Sequence, residues 1–242
     1  MNPAIVLAGG LGTRLRRVVS DVPKPLAPVA GKPFLWWLLA DLESQGIEHT
    51  CLSVGYKASM IQDLFGDAFG RMRLSYCVED EPLGTGGAVL RAARLEGFET
   101  FWSLNGDTFS AIDLGRMQRE FDDASIDAAV AVAKVDDASR YGTLQVDADG
   151  RVLGYRAAGE PAAALISAGV YLLRRSVLER FELPVKFSIE KDFFEKHLQQ
   201  LNIRAYPGVS GFLDIGIPED YELSQTRVPF LATLHDSSRT SA

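Results

Sequence analysis

Cysteine and histidine are scarce in this chain, with two and three residues respectively among 242. Cys51 and Cys77 stand apart in apolar, strand-like stretches, so they make neither a disulfide framework nor a metal-ligand cluster and are expected as buried thiols. His49, His197 and His235 are scattered, and no Gly-x-Ser-x-Gly elbow accompanies them, which leaves a hydrolase triad without support. Long apolar runs are also missing: none approaches the roughly 20 residues needed to span a bilayer. No charged leader with an apolar signal core opens the sequence, and the expected location is the cytoplasm. Positive charge is in deficit. With 25 Lys and Arg against 32 Asp and Glu, a net charge of -7 and no basic block, the chain is expected to bind neither nucleic acid nor membrane. An anionic ligand must therefore meet local cations.

Local cations are present near the start. The apolar run Ala4 to Ala8 reads as a buried parallel strand that stops at Gly9-Gly10-Leu11-Gly12, where missing Cβ atoms let backbone N–H groups approach an anion closely. Arg14, after Thr13, offers a planar fork for phosphate oxygens, and Lys24, between Pro23 and Pro25, offers a point-like cation in an extended segment. Together they suit a polyphosphate. A Rossmann fingerprint fails because Leu15 occupies the third glycine position and no acidic residue closes the strand near Val54. A Walker A loop is absent as well.

Alternating patterns place the cradle in an α/β fold. Apolar runs at Ala4 to Ala8, Thr50 to Val54, Leu74 to Val78 and Thr100 to Asn105 alternate with helical stretches at Phe34 to Gln45, Ala58 to Phe65 and Thr85 to Leu95. This predicts a doubly wound, mainly parallel sheet with its ligand site at the strand C-termini. Further on, a helix is expected at Asp113 to Phe121, strands at Ala128 to Val135 and Leu165 to Leu173, and a hairpin of Leu144 to Val146 with Val152 to Tyr155. Ser188 to Leu201 reads as a helix capped by Ser188, and Pro218 to Ser224 as a closing helix. The length suits one domain over 1–228, with a first lobe (1–110 and 202–226), a small antiparallel second lobe (111–201) and a tail at 229–242.

The run Leu7-Ala8-Gly9-Gly10-Leu11-Gly12-Thr13-Arg14-Leu15, followed by Pro23-Lys24-Pro25-Leu26 and Gly31-Lys32-Pro33, closely resembles the signature of the sugar-1-phosphate nucleotidyltransferases. These make nucleotide-diphosphate sugars from a nucleoside triphosphate and a sugar 1-phosphate. The resemblance implies the nucleotide-diphospho-sugar transferase fold, with helices on both faces of a Rossmann-like mixed sheet. It also implies roles. Leu7, Ala8, Gly9, Gly10, Gly12 and Thr13 would line the nucleotide; Arg14 would neutralise the departing pyrophosphate and Lys24 the reacting α-phosphate.

Two acidic segments, Leu104-Asn105-Gly106-Asp107 and Phe212-Leu213-Asp214-Ile215-Gly216, resemble the family's metal-binding motifs and imply Mg²⁺ on Asp107 and Asp214. Sequence alone does not show that they meet. Glu79 to Ala88 resembles the base-recognition loop, with Glu79, Pro82, Gly84 and Thr85 as nucleotide contacts, its small residues offering backbone for a flat ring. An ionised Glu79 accepts hydrogen bonds only and leans toward guanine, which presents adjacent donors; a solvated surface acid is the other reading. Ser139 to Gly142 and Ser167 to Tyr171 resemble the sugar-pocket segments, with Gly142, Ser167 and Gly169 as contacts, although Asn is commoner in the family where Ser167 stands. For Tyr171, a strand aromatic facing the core is the equal alternative. Ser188-Ile189-Glu190-Lys191-Asp192 resembles the segment in which Glu binds sugar hydroxyls and Lys the sugar phosphate.

The overall pattern is most similar to the guanylyltransferase branch acting on D-glycero-D-manno-heptose 1-phosphate, which implies GTP and that sugar phosphate as partners and a surface glycan as the destination. Mannose-1-phosphate guanylyltransferases and N-acetylmuramate-1-phosphate uridylyltransferases are the neighbouring alternatives. A nucleotide-sugar sensor would be expected to lose the cations and carboxylates retained here, and a metal-dependent glycosyltransferase would carry a D-x-D pair where this chain has Asp107-Thr108-Phe109. Monomer and homodimer both remain open, with Trp36 and Trp37 as core or interface.

Overall fold

A computed structural model describes residues 1–10, 15, 19, 21–123, 125–159 and 162–237, with side chains through residue 233. The chain begins with β1 (Ala4–Leu7), a hairpin of β2 (Pro28–Val29) and β3 (Lys32–Pro33), and α1 (Phe34–Ser44). Next come β4 (His49–Val54), α2 (Ala58–Phe65), β5 (Ala68–Phe69), β6 (Met72–Val78), α3 (Gly84–Glu96) and β7 (Thr100–Asn105). The second half holds β8 (Thr108–Ala111), α4 (Leu114–Phe121), β9 (Ala128–Val135), β10 (Thr143–Val146), β11 (Val152–Arg156), β12 (Ala164–Arg174) and α5 (Arg175–Leu178). A π-helical segment, Ile189–Glu195, then leads to β13 (Ile203–Tyr206), β14 (Gly211–Asp214) and α6 (Pro218–Ser237).

Among the described residues one sheet of ten strands runs β11-β10-β12-β7-β1-β4-β6-β5, and β9 pairs with both β12 and β13. The parallel centre, β7-β1-β4-β6, is the predicted doubly wound half. The antiparallel half is joined through β12 on β7, so the expected sugar-side strands extend the same sheet. Alternation along β1 shows why helices must cover both faces: Ala4 and Val6 belong to one buried cluster with α1 and α4, while Ile5 belongs to another with α3 and the π-helical segment. Cys51 and Cys77 are free thiols buried in the second cluster, and burial pushes Cys51 up to about 12. Trp37 donates its indole N–H to the Val29 carbonyl at 2.9 Å, and half-buried Trp36 meets Phe69 edge-on.

Two helices differ from expectation for physical reasons. The Ser188 to Leu201 stretch is π-helical over Ile189–Glu195 and ends in a 3₁₀ turn, Leu198–Gln200. Phe193 and Phe194 are adjacent in sequence and both fully buried, and a wider turn keeps both on the core side. The closing helix does not stop at Ser224 but continues through Pro229 to Ser237. Burial of Val228 and Leu231 against the core outweighs the hydrogen bond that proline cannot make. No described helix is long and apolar enough to cross a membrane.

The sheet's ligand-side edge is drawn together where Gly106 N–H donates to the Leu7 carbonyl at 3.0 Å. A Cβ on Gly106 would lie 2.5 Å from that carbonyl oxygen, whereas one on Gly10 would meet nothing within 4 Å. Gly106→Ala is therefore expected to cost roughly 1–3 kcal/mol of stability through overpacking, and Gly10→Ala much less. Urea unfolding of the two variants beside the parent checks both.

Candidate active site

Beyond the C-terminal ends of β1 and β7 lies a cavity of about 410 Å³. Leu7, Gly10 and Lys24 form one wall, Asn105, Asp107 and Asp214 another, and Gly142, Ser167, Gly169 and Glu190 the far end. Strands β8 and β14 explain how residues distant in sequence converge. They pair antiparallel with Thr108 opposite Asp214, and Ile215 N–H donates to the Asp107 carbonyl at 3.0 Å. Sequence reading missed β8, because its four residues follow Asp107 without a turn signal of their own.

Lys24 ties the two carboxylates together. Its Nζ is 2.7 Å from Asp107 Oδ2 and 3.5 Å from Asp214 Oδ1, with the lysine side chain only 10% exposed. The Pro23-Lys24-Pro25 frame fixes this placement, with Lys24 opening a single 3₁₀ turn, Lys24–Leu26, whose two other residues are buried. Burial raises the Asp214 pKa above its ordinary value, an effect opposed by Lys24 and reinforced by Asp107. Among the described residues no group of three or more His, Cys, Asp or Glu could hold a metal. Two hard oxygen carboxylates facing an open cavity instead suit an ion that takes its remaining ligands from phosphates and water, as Mg²⁺ does.

Gly9 and Glu79 are placed as a pair. A Cβ on Gly9 would approach Glu79 Oε1 to 3.0 Å, and Ala8 is buried behind them, its N–H on the Ser53 carbonyl at 2.7 Å. Glu79 is not a solvated surface acid: its Oε1 accepts from the Ser53 hydroxyl at 2.8 Å and its Oε2 from Leu83 N–H at 3.1 Å. Each oxygen keeps a lone pair for a ligand donor.

The small residues of the following loop do not offer an open platform. A Cβ on Gly84 would lie 2.5 Å from the Phe187 carbonyl, and one on Gly86 2.1 Å from the Phe187 ring. Gly86 N–H donates to the Phe187 carbonyl, Phe187 N–H to Leu83, and Ile189 N–H to the Thr85 hydroxyl, each at 3.0 Å. Glycine here permits a strap of chain to lie on the start of α3. Pro82 and Thr85 are exposed beside it, outside the cavity wall.

At the sugar-side end, Glu190 lines the cavity but Lys191 does not. Ser188 caps the π-helical segment by accepting from Lys191 N–H at 3.3 Å, which leaves the lysine side chain exposed. Tyr171 is buried, as its core reading required, yet its hydroxyl donates to Glu190 Oε1 at 2.5 Å. Tyr141, Thr108 and Phe212 also line the cavity without having been singled out. Tyr141 is held by Arg140, which donates to its hydroxyl at 2.9 Å and to Asp220 at 2.6 Å. Gly12, Thr13 and Arg14 lie outside the described residues.

Residues 3–228 match the Nucleotidyl transferase family. The chain is 40% identical over 222 residues to the D-glycero-alpha-D-manno-heptose 1-phosphate guanylyltransferase of Aneurinibacillus thermoaerophilus, covering 92% of this chain and 96% of that protein. It is 39% identical over 218 residues to the Campylobacter jejuni protein of the same name, covering 90% and 96% respectively. The crystal structure of HddC from Yersinia pseudotuberculosis complexed with GMP-PN superposes with a TM-score of 0.81 at 36% identity, covering 94% of this chain and 99% of that one.

A carboxyl whose pKa is raised on folding contributes stability that is present below its ordinary value of 3.8 and lost as pH rises through the raised value. In chelator at neutral pH, Asp214→Asn is accordingly expected to raise the melting temperature and flatten its fall with pH. Lys24→Met, which leaves two carboxylates facing each other, is expected to lower it. Thermal melts of both variants between pH 4 and 8 give the signs directly.

Proposed function

The chain belongs to the nucleotidyl transferase family, and from that premise we propose that it transfers GMP from GTP to D-glycero-D-manno-heptose 1-phosphate, giving GDP-heptose and pyrophosphate. The observation that carries this reading is the convergence of Asp107 and Asp214 on Lys24 at the strand ends, in a cavity that Glu190 also lines, with Glu79 beside the glycine turn at Gly9. A sugar-phosphate oxygen forms a bond to the α-phosphorus while the bond from that phosphorus to the β-bridging oxygen breaks, and pyrophosphate leaves with the electron pair. The nucleophile is already anionic near neutral pH, so no general base is needed. The protein's work is to align two anions and reduce their repulsion.

Lys24 would neutralise the reacting α-phosphate, Arg14 the departing pyrophosphate and Lys191 the sugar phosphate. Asp107 and Asp214 would hold Mg²⁺, which when bound neutralises charge shared between the phosphates. The glycine turn through Leu7, Gly9, Gly10, Gly12 and Thr13 would accept the triphosphate, and the free lone pairs of Glu79 the donor edge of guanine. The loop residues Pro82, Gly84 and Thr85 would flank the base, while Gly142, Ser167, Gly169 and Glu190 would receive the sugar. The named substrates of the 40% and 39% identical relatives support the choice of GTP and heptose. A surface glycan is the proposed destination, and the cytoplasm, where nucleoside triphosphates are abundant, the proposed location.

Pyrophosphate release in Mg²⁺, with GTP, ATP, UTP, CTP and dTTP each crossed with heptose, mannose and N-acetylmuramate 1-phosphates, tests the reading. GTP with heptose 1-phosphate is expected to dominate; dominance of mannose 1-phosphate would move the assignment to the neighbouring guanylyltransferases, and of UTP would overturn the role of Glu79. Asp107→Ala is expected to lower kcat by at least ~10²-fold without unfolding the chain, a loss comparable with removal of other electrostatic stabilisers.

A further inference from the structure

Strand β12 is irregular where it borders the cavity. Ser167 pairs with Val132 and Tyr171 with Val130, so Ala168, Gly169 and Val170 stand opposite the single residue Ala131. A regular strand would set residues four apart about 13 Å from each other, beyond the reach of their hydroxyls. The bulge shortens that span until Ser167 Oγ and Tyr171 Oη are 2.8 Å apart. Gly169 makes the bulge possible: its φ is +69°, and a Cβ there would lie 2.7 Å from Asn105 Nδ2. Ser110 pins the neighbouring Ala168 carbonyl at 2.7 Å.

Hydrogen inventory fixes the direction of this chain. Ionised Glu190 accepts only, so Tyr171, 2% exposed and 2.5 Å away, must give its one hydroxyl hydrogen to Oε1. Tyr171 Oη can then only accept from Ser167, and Ser167 Oγ in turn accepts from Gly169 N–H at 3.3 Å. Burial and the neighbouring Glu190 keep the tyrosine protonated, in agreement with this order. The Ser167 hydrogen is thereby committed inward. What remains for a ligand is one lone pair on Ser167 and the second oxygen of Glu190, both acceptors lining the cavity.

We propose that Tyr171 is a positioning residue for sugar specificity: wired from Ser167 to Glu190, it leaves both of those cavity-lining groups as acceptors, a pair that selects a sugar phosphate presenting hydroxyl donors to them. The proposal rests on the sugar-phosphate reading above and deepens it, because Ser167, which lines the cavity, is the link that feeds Tyr171.

Calorimetric binding of D-glycero-D-manno-heptose 1-phosphate, and of analogues lacking one ring hydroxyl each, is measured beside steady-state turnover for the parent, Tyr171→Phe, Ser167→Ala and Ser167→Asn. Tyr171→Phe is expected to weaken sugar-phosphate binding about 10-fold or more, the scale of a hydrogen bond to a charged group, while the KM for GTP changes less than about twofold. It should also shrink the parent's penalty for the most poorly bound deoxy analogue. Ser167→Ala should fall between, and Ser167→Asn, which keeps a donor for Tyr171, should recover toward the parent. Equal weakening of GTP and sugar phosphate, or an unchanged deoxy penalty, overturns the proposal and leaves the reaction standing. Selective loss of sugar-phosphate binding in Tyr171→Phe, with no nucleotidyl transfer by the parent, keeps the selector and overturns the reaction. A parent that neither binds nor turns over the sugar phosphate overturns both.

Discussion

The pairing of β8 with β14 is the constraint on which the site depends. Without it Asp107 would be a carboxylate at a strand end and Asp214 another in a distant segment; with it they share one ammonium at 2.7 and 3.5 Å. The two-stranded ribbon stands off the main sheet, held from outside by α6 and from inside by Ser110 on the Ala168 carbonyl. Helix α6 also clamps the β2–β3 hairpin, since Gln225 bonds both the Pro28 carbonyl and Ala30 N–H, and Tyr221 donates to Pro28 at 2.6 Å. The segment carrying Lys24 and the segment carrying Asp214 are therefore braced by one helix. The turns that carry Lys24 and Asp107 are thus held by the strands and the helix that flank them.

Much of this was legible in the sequence where a local pattern sufficed. Runs such as Ala4 to Ala8 and Thr100 to Asn105 are apolar on both faces because both faces are covered, and that signal survives without any knowledge of partners. The Lys24, Asp107, Asp214 and Glu190 positions were marked by motif, and the structure brings all four to one cavity. Relations that depend on long-range packing were not legible. Thr108 to Ala111 is too short to announce a strand, and its partner lies about a hundred residues away. The small residues of the Glu79 to Ala88 loop read as backbone open to a flat ring, whereas Gly84, Gly86 and Gly87 are covered by the chain at Val185 and Phe187, a packing relation no local pattern carries. The π-helical turn depends on two adjacent phenylalanines finding the same core, which periodicity at 3.6 residues cannot express.

The strap formed by residues 185–187 links Glu79 to the Glu190 end of the cavity. Glu79 holds Leu83 N–H, the Leu83 carbonyl holds Phe187 N–H, and Thr85 holds Ile189 N–H one residue before Glu190. Glu79 and Glu190 are thus joined by a short run of hydrogen bonds along the start of α3. The start of α3 serves both, since its Gly86 N–H, which lacks an intrahelical partner, is satisfied by the strap's carbonyl.

Charge supplies the last link between geometry and chemistry. The chain carries a net charge of -7, and at the cavity wall Asp107, Asp214 and Glu190 face Lys24 as the one described cationic side chain. Lys24 is already engaged by two of those carboxylates, so the described wall is acidic on balance before any ligand arrives. A triphosphate and a sugar phosphate would both be repelled by such a wall at close range, where low dielectric strengthens every interaction. Under the proposed reaction that repulsion must be offset, and a divalent ion held by Asp107 and Asp214 would supply part of the positive charge, beside the cations assigned above. Lys24 lines the same cavity, where its ammonium would face phosphate. The acidic pair and the lysine form one ion-paired cluster at the strand ends, in which the two carboxylates hold a single ammonium in place.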